Sequence, residues 1–306
     1  MRRNRRKIIL AVLAAVIGLL AVLLLAAWTC FLILDKTNAT VVSSGLPRRY
    51  LLYVPRTYDR TKPTPLVISL HPAATWPAVE RATSRWNDVA EEHSFIVVYP
   101  EGTGAFFGGL RPGPQVFPMG TRSLKRDVQF ISDLIAKLEA EYNIDPNRIY
   151  ADGMSNGGGM AFALSCRLSD RIVAVGAMAA AQTLEWDRCG ISRPVPTVAF
   201  RGTDDRAAPY QGGASPVAPG VLPNIQEWAA PVARRNHCQE EPTGTRISPN
   251  VRRLAYTNCA DNADVVLYTI EGGGHTWPGD KPLPGWIVRR TTREINASSV
   301  MWEFFV

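Results

Sequence analysis

Short apolar runs alternate along this chain with segments of helical periodicity, and this alternation restricts the possible folds more than any other feature of the sequence. Near-continuous valine, isoleucine and leucine is typical of strands buried on both faces of a sheet. We expect strands at runs of this kind and at similar short runs: 50–54, 66–71, 95–99, 148–151, 172–178, 197–200 and 265–270. Between and after them we expect helices, at 79–89, 124–142, 155–168, 225–235 and 292–305. The alternation predicts one α/β domain, with a mostly parallel central sheet and helices on both faces.

The N-terminal segment indicates the compartment. Residues 8–34 form a run of 27 residues without a charged side chain, and five basic residues precede it. About 20 apolar residues cross the hydrocarbon core of a bilayer as a helix, whereas a secretory signal has an apolar stretch of about 7–15 residues. We therefore expect residues 1–34 to be a basic cytoplasmic stub and one transmembrane helix that anchors the chain, with a cleaved signal peptide as the alternative. The positive charges before the run orient the rest of the chain outward.

The remainder of the chain has the composition of a globular domain. Residues 35–48 are polar, which predicts a linker, and the α/β domain is expected over residues 49–306. Apolar residues make up 46% and charged residues 20% of the chain, which excludes a disordered or collagen-like protein. The net charge of +7 is concentrated in residues 1–34, because the rest holds 29 basic and 27 acidic residues. A nucleic-acid binder with a basic face is therefore excluded, and the sequence indicates no obligate protein partner.

The pattern Gly-Met-Ser-Asn-Gly at residues 153–157 lies between a predicted strand and a predicted helix. This is the context of a nucleophile elbow, in which a serine occupies a strained strand-to-helix turn and its hydroxyl lies above the sheet. Residues two before and two after the serine lie where strand and helix nearly touch, so glycine suits both positions. Ser155 is therefore the candidate nucleophile, and the backbone N–H of Asn156 is a candidate donor to an oxyanion. A glycine-rich helix start that only packs closely is the alternative.

A serine hydroxyl needs a base to remove its proton, and that base is usually histidine. His275 lies in the glycine-rich loop 271–279, after the last strong strand and before the C-terminal helix. Reactive groups of α/β folds lie on loops after strand ends, so His275 is the candidate base. The acid that orients the imidazole is expected between serine and histidine in the chain, where Asp204 and Asp205 follow the strand at 197–200. A turn histidine in contact with solvent and an ordinary Asp-rich turn are the alternatives.

Four cysteines lie outside the N-terminal run: Cys166, Cys189, Cys238 and Cys259. They allow three pairings, and the sequentially local one closes loops of about 22 residues, each worth about 3 kcal/mol in the chain-entropy model. Disulfides persist in exported proteins, and four buried free thiols are the alternative. No cluster of His, Cys and Asp has metal-ligand spacing, so we expect neither a metal nor a cofactor.

Four motifs appear together in this chain: GMSNGGGMA from Gly153, GT-x-D-x-x-x-PY ending at Tyr210, PNIQEW with ARRNHC over 223–238, and GGGHTWPG from Gly272. In combination they resemble the polyhydroxybutyrate-depolymerase-like esterases, an α/β-hydrolase family that includes secreted feruloyl and acetyl-xylan esterases. The similarity runs from about Tyr50 to the C-terminus and includes the VVYPEG segment.

The resemblance implies an α/β-hydrolase fold and assigns roles to residues of this chain. The family's nucleophile falls on Ser155, its acid on Asp205 rather than Asp204, and its base on His275. Its two disulfides map onto the local pairing, Cys166 with Cys189 and Cys238 with Cys259.

The chain departs from the family at three positions near this site. Leu-His-Gly is usual where residues 70–72 read Leu-His-Pro. Because proline has no N–H, Ala73 becomes the candidate second oxyanion donor, and a lost donor typically lowers the rate ~100–1000-fold. Arg201 stands where histidine is frequent before Gly-Thr, and Asp152 stands where a small or hydroxyl residue is usual.

These residues predict a serine carboxylic-ester hydrolase that acts outside the cytoplasm, through an acyl-enzyme, on a polyester, a feruloyl ester or an acetyl ester. Acyl transfer to a cell-envelope alcohol and a catalytically silent binding protein on a hydrolase scaffold remain open. Trp277, with Phe106, Phe107, Phe117 and Trp186, is a candidate to line an aromatic or acyl pocket, and core packing is the alternative. We expect the protein to be anchored in a membrane through residues 8–34, or secreted if that segment is cleaved.

Overall fold

The computed structural model describes residues 12–26, 29, 36–105, 115–117, 121–180, 189–216, 221–280 and 290–306. The chain divides into two compact units, Met1–Lys36 and Thr37–Val306. In the first unit, residues 12–26 form helix α1. The membrane span expected at residues 8–34 lies partly outside the described residues, and no helix in the described part of the chain has the length and apolar character needed to cross a bilayer.

Strands and helices alternate through the second unit. The strands are β1 (Ala39–Ser43), β2 (Leu46–Tyr53), β3 (Thr64–Leu70), β4 (Ile96–Pro100), β5 (Gly104–Ala105), β6 (Gln115–Val116), β7 (Ile144–Met154), β8 (Ala174–Met178), β9 (Thr197–Gly202), β10 (Gly213–Ala214), β11 (Val221–Leu222), β12 (Thr243–Ser248), β13 (Val251–Tyr256) and β14 (Val265–Ile270). The helices are α2 (Pro77–Ser84), α3 (Trp86–His93), α4 (Thr121–Glu141), α5 (Asn156–Arg167), α6 (Ile225–Arg235) and α7 (Ala297–Phe305).

Within the described residues, ten strands form one sheet in the order β1-β2-β4-β3-β7-β8-β9-β14-β13-β12. The strands from β4 to β14 in this order run parallel to their neighbours. Antiparallel pairs flank them, β1–β2 and β2–β4 on one side and β13–β14 and β12–β13 on the other. The central sheet is therefore mostly parallel, which confirms the prediction from the alternating pattern.

Helices cover both faces of the sheet because successive side chains of a strand point to opposite faces. Val67 of β3 belongs to a buried cluster with Trp86 of α3 and Trp302 of α7. Its neighbour Ile68 belongs to a second cluster, with Phe130 of α4. Both faces of these strands are buried, and this explains why they are apolar along nearly their whole length.

The linker expected at residues 35–48 is corrected by the structure, because residues 39–43 form β1 and pair with β2 at the edge of the sheet. Ser44 and Gly45, which connect the two strands, both have a positive φ. Along β1, half-buried and exposed residues alternate up to the buried Ser43. Ala39 and Val41 of this edge strand pack against the core while Val42 is exposed, so only one face is buried and a segment this short resembles a linker.

Three further differences concern element boundaries. Arg85, with a φ of 55°, separates α2 from α3, although the apolar spacing continues across this break because both helices pack on the sheet. Strand β12 is exposed along nearly its whole length and has no apolar alternation, so no local pattern predicted it. The last helix begins at Ala297, where the Asn296 side chain accepts a hydrogen bond from the Ser299 N–H and caps it.

Two disulfides link segments that are close in the chain. Cys166 in α5 is bonded to Cys189, and Cys238, after α6, is bonded to Cys259. The sequentially local pairing is therefore confirmed, and the alternative of four free thiols is wrong.

Candidate active site

Ser155 occupies a strained turn between β7 and α5. Its backbone has φ 53° and ψ −117°, a conformation that is unfavourable for a residue with a side chain. The N–H of Ser155 donates a 2.7 Å hydrogen bond to the carbonyl oxygen of Met178, at the end of β8. A Cβ at Gly157 would lie 1.9 Å from the carbonyl oxygen of Leu70, and one at Gly153 would lie 2.6 Å from the same oxygen. Strand and helix therefore touch at this turn, and both flanking positions require glycine.

The two other predicted side chains meet on the loops that follow β9 and β14. His275 Nδ1 lies 2.8 Å from Asp205 Oδ2. The second carboxylate oxygen of Asp205 accepts 2.8 Å hydrogen bonds from the N–H groups of Ala207 and Ala208. Because the carboxylate accepts, Nδ1 of His275 carries the proton and Nε2 is left as a hydrogen-bond acceptor. Asp204 is exposed, and its N–H donates to a loop carbonyl, so the geometry favours Asp205 as the partner of the ring.

The sheet brings the serine turn and these loops to the same edge, because β7, β8, β9 and β14 are consecutive neighbours. Ser155 is bonded to the end of β8, and Ala179, just beyond β8, donates a 2.9 Å hydrogen bond to Phe200 of β9. A Cβ at Gly202 would lie 2.2 Å from the carbonyl oxygen of Gly273, so the loops after β9 and β14 are in direct contact. Within the described part of the chain, the His275 ring is hydrogen-bonded to Asp205 and not to the Ser155 hydroxyl. Such bonds are often long before a substrate binds.

The two candidate oxyanion donors follow β7 and β3, two strands that pair in the sheet. Asn156 is the first residue of α5, where N–H groups have no partner within the helix. Its side chain is held in place, since Oδ1 accepts from the Phe117 N–H at 2.7 Å and Nδ2 donates to the Phe117 carbonyl at 2.9 Å. Ala73 lies in the turn that follows β3, the strand whose Leu70 carbonyl contacts the helix start.

His71 supports the turn that carries Ala73, a role that the sequence did not reveal. Its ring is fully buried, Nε2 accepts a 3.0 Å hydrogen bond from the Gly102 N–H, and Nδ1 therefore donates its proton to the Pro72 carbonyl at 2.8 Å. Thr75 Oγ1 donates to the same carbonyl at 2.7 Å. Burial lowers the pKa of His71 to about 4, against the opposing hydrogen bond to Pro72, so the ring is neutral in this turn.

Trp277 does not lie at the surface of the site, which corrects the expected substrate contact. Its side chain is 2% exposed and packs in the core with α7, and its indole N–H donates a 3.1 Å hydrogen bond to Ser298. Phe117 is also buried and packs against His71. Phe106, Phe107 and Trp186 lie outside the described residues. Trp277 and Phe117 therefore pack in the core, which was the alternative to lining a pocket.

Arg201 is buried in β9 close to the acid of the site. Burial lowers its pKa to about 10, and the charges of Asp205 and Tyr210 act in the opposite direction. Its Nε and Nη1 atoms have no hydrogen-bond partner in the part of the chain that the structure describes. A desolvated, unpaired cation is unfavourable, and nothing in the structure explains why this chain has arginine at this position.

A groove of about 430 Å³ lies on the antiparallel end of the sheet, lined by residues that include Tyr210, Arg252 and Leu267. None of the three candidate catalytic residues lines this groove, so we assign it no functional role. Within the described residues, no group of three or more His, Cys, Asp and Glu side chains is placed to hold a metal ion.

Comparison with known proteins supports the fold and the family. The family model described as Esterase PHB depolymerase matches residues 48–192. Feruloyl esterase B of Piromyces equi is 33% identical over 254 residues, which are 78% of this chain and 44% of that protein. The bifunctional acetylxylan esterase/xylanase XynS20E of Neocallimastix patriciarum is 26% identical over 219 residues, which are 70% of this chain and 29% of that protein. This chain thus spans less than half the length of either relative.

Among solved structures, an acetyl xylan esterase from Aspergillus awamori matches with a TM-score of 0.58 at 14% identity, covering 88% of this chain and 99% of that one. At this identity the likeness concerns the fold alone, because one fold hosts many functions. This chain shares the fold of that esterase. Residues 48–192 are therefore similar to the Esterase PHB depolymerase family, which the motifs of the sequence also indicated.

Proposed function

We propose that this chain is a carboxylic-ester hydrolase in which Ser155 is the nucleophile, His275 the general base and Asp205 the acid that orients the base. The observation that carries the proposal is the 2.8 Å contact between Asp205 and the His275 ring, on loops at the sheet edge where the strained Ser155 turn lies. The esterase family of residues 48–192 supports the same reaction class.

The reaction proceeds through an acyl-enzyme. Nε2 of His275 takes the proton of the Ser155 hydroxyl as its oxygen attacks the ester carbonyl. Asp205 accepts from Nδ1–H, which keeps Nε2 free for this step and stabilises the imidazolium that forms. The ring then gives its proton to the departing alcohol, and a water activated by the same nitrogen releases the acid.

The oxyanion of the tetrahedral intermediate needs donors on the helix side and on the β3 side of the serine. The backbone N–H of Asn156 supplies the first, where the partial positive charge of the α5 N-terminus adds to it. The backbone N–H of Ala73 supplies the second, since residue 72 is proline and has no N–H. The hydrogen bonds of His71 and Thr75 to Pro72 hold this turn in a fixed shape.

The substrate class is proposed from the relatives. Feruloyl and acetylxylan esters are candidates because two relatives bear those names, and a polyester is a candidate because of the family description. A panel of methyl ferulate, acetylated xylan and poly(3-hydroxybutyrate) separates the three by kcat/KM. A measurable kcat/KM on only one of these three substrates would assign the substrate class.

The proposed place of action is outside the cytoplasm. Two disulfides support it, since such bonds persist in oxidising compartments. We propose residues 8–34 as a membrane anchor, with a cleaved signal as the alternative. Carbonate washing of membranes from cells that express the full chain tests the anchor, because an anchored chain stays in the pellet and a cleaved one appears in the medium.

The decisive experiment replaces Ser155 with alanine. We expect the wild-type protein to hydrolyse a short-chain chromogenic ester and to be labelled by a fluorophosphonate probe at Ser155, and we expect Ser155→Ala to lose both properties. Unchanged turnover in Ser155→Ala would remove Ser155 as the nucleophile. An active-site serine that never reacts with the probe in the folded wild type would instead support a catalytically silent binding protein.

A further inference from the structure

Two buried carboxyl groups and one hydroxyl form a cluster beside the site that the proposed mechanism does not use. Ser69 of β3, Glu80 of α2 and Asp152 of β7 are each fully buried. The Ser69 hydroxyl oxygen lies 2.9 Å from Asp152 Oδ1 and 3.2 Å from Glu80 Oε1, so it bridges the two carboxyl groups. Within the described residues, the other oxygen of each carboxyl group is buried and has no hydrogen-bond partner.

The geometry favours a proton on this pair of carboxyl groups. A serine hydroxyl has one hydrogen to donate, and an ionised carboxylate can only accept. If Glu80 and Asp152 were both ionised, Ser69 could donate to one of them, and its contact with the other would join two acceptors. Two full hydrogen bonds at Ser69 therefore need one protonated carboxyl group, which donates to Ser69 while Ser69 donates to the other.

The cluster connects the three segments that build the site. Ser69 pairs with Asp152 in the sheet, one residue before the pair Leu70 and Gly153, where strand and helix touch. Ser69 is followed by the turn that carries Ala73, and Asp152 is followed by the Ser155 turn. Glu80 lies in α2, which begins where the Ala73 turn ends. The bridge therefore joins the nucleophile turn, the strand before the oxyanion turn and the helix after it.

We propose that Glu80, Ser69 and Asp152 form a positioning unit that holds the oxyanion turn against the nucleophile turn, and that the unit is intact only while the carboxyl pair keeps a proton. This inference rests on the proposed esterase function. None of the three side chains contacts the reacting atoms; they act through the strands and the helix that carry those atoms.

The surroundings of the cluster favour the protonated state. Burial raises the pKa of Glu80 well above its usual value, and the negative charges of Asp152 and, more weakly, Asp280 add to this against the Ser69 hydrogen bond. Burial raises the pKa of Asp152 to about 7, opposed by the Ser69 hydrogen bond and by the nearby Trp86 indole, which lies outside hydrogen-bond geometry. From β4, Tyr99 faces the pair with a phenol that burial keeps neutral, because it raises the pKa well above the usual value.

Arg81, next to Glu80 on α2, is a nearby cation, and Met301 of α7 closes the same face over Gly176.

The arrangement that satisfies every contact has Glu80 donating to Ser69 and Ser69 donating to an ionised Asp152. As the pH rises, Asp152 ionises first and the unit keeps its hydrogen bonds. Loss of the Glu80 proton then breaks the unit and leaves two buried negative charges.

The test compares pH profiles of the full-length protein and its variants. In Glu80→Gln the amide N–H donates to Ser69 permanently, so we expect kcat at neutral pH near that of the wild type and no loss of kcat at the alkaline pH values where the wild type declines. In Ser69→Ala the bridge is absent at every pH, and we expect kcat to fall about 10- to 100-fold with little change in KM, because the turns shift apart. Ser43→Ala is the matched control. Ser43 lies at the far end of the sheet, and its buried hydroxyl has no hydrogen-bond partner among the described residues.

A second readout does not depend on catalysis. Carboxyl groups with a raised pKa bind more protons in the folded state, so the unfolding temperature of the wild type should fall as the pH rises from about 5 through the folded-state pKa values. Glu80→Gln should flatten this decline. An alkaline decline in Glu80→Gln as steep as in the wild type, in both kcat and unfolding temperature, would overturn the proposal. If the unfolding temperatures behave as expected while Ser155→Ala keeps full activity, the esterase assignment fails and the proton-dependent unit stands.

Discussion

Replacing Asp205 with asparagine should turn off the proposed base without disturbing the fold, because the structure dictates how the amide must sit. One carboxylate oxygen of Asp205 accepts from the N–H groups of Ala207 and Ala208, each at 2.8 Å, and the other faces His275 Nδ1 at 2.8 Å. Two backbone donors require an oxygen at the first position. The asparagine amide nitrogen is therefore directed at His275.

The consequence is the wrong tautomer of the ring. An amide N–H facing Nδ1 makes that nitrogen the acceptor, so the proton of the neutral imidazole moves to Nε2. A ring with a proton on Nε2 cannot take the proton of Ser155. A tautomer change of this kind lowers kcat by ~10⁴, which is about 5 kcal/mol of transition-state stabilisation. The hydrogen bonds to the backbone are kept, so the stability should change by less than ~1 kcal/mol.

The assay is kcat/KM on a short-chain chromogenic ester for the purified wild type and Asp205→Asn, with urea unfolding of both. Asp204→Asn is the matched control, since Asp204 is the exposed neighbour and its side chain has no part in the contact. We expect the control to keep nearly all activity. A loss of only a few-fold in Asp205→Asn, or an equal loss in Asp204→Asn, would refute the reasoning about the amide orientation and the orienting role of Asp205.

Three further predictions test the local geometry. Gly157→Ala places a Cβ 1.9 Å from a β3 carbonyl oxygen and should lower kcat about 100-fold by separating the turns. The control Gly244→Ala, which has open space around it, should leave kcat unchanged. Equal kinetics for the two variants would contradict the close approach. A double alanine variant that removes the Cys238–Cys259 disulfide should lower the free energy of unfolding, measured by urea titration, by about 3 kcal/mol, because the bond closes a loop of 21 positions. An unchanged free energy of unfolding would contradict the chain-entropy model for this bond. Arg201→Met should raise the free energy of unfolding by on the order of 1–3 kcal/mol, because burial that lowers the Arg201 pKa to about 10 opposes its charge. A decrease in stability would show that the guanidinium has a partner in solution.

Much of the site was predictable because its signals are local. The need for glycine on both sides of Ser155 follows from sterics within one turn, and the observed φ of 53° at the serine agrees with it. The strands buried on both faces were visible because period and apolar content are read from neighbouring residues. The preference for Asp205 over Asp204 came from the family resemblance, and the contact with His275 is what supports it in the structure.

Signals that depend on distant partners were not predictable in the same way. Strand β12 is exposed and polar, and it is a strand only because β13 pairs with it. Trp277 follows His275 by two residues, yet it packs in the core because the loop turns inward against α7. A side chain's burial is decided by which element covers it, and no local pattern reports that.

The amino-acid sequence by itself determined the α/β architecture, the strained serine turn and the candidate base, since each depends on backbone sterics or periodicity within a few residues. Only the tertiary structure decided that Asp205 faces the ring, that Nε and Nη1 of Arg201 are buried without a hydrogen-bond partner among the described residues, and that Glu80 and Asp152 meet across Ser69. The physical reason is that hydrogen bonding and desolvation act between atoms that are close in space. Sheet register brings such atoms together from positions far apart in the chain.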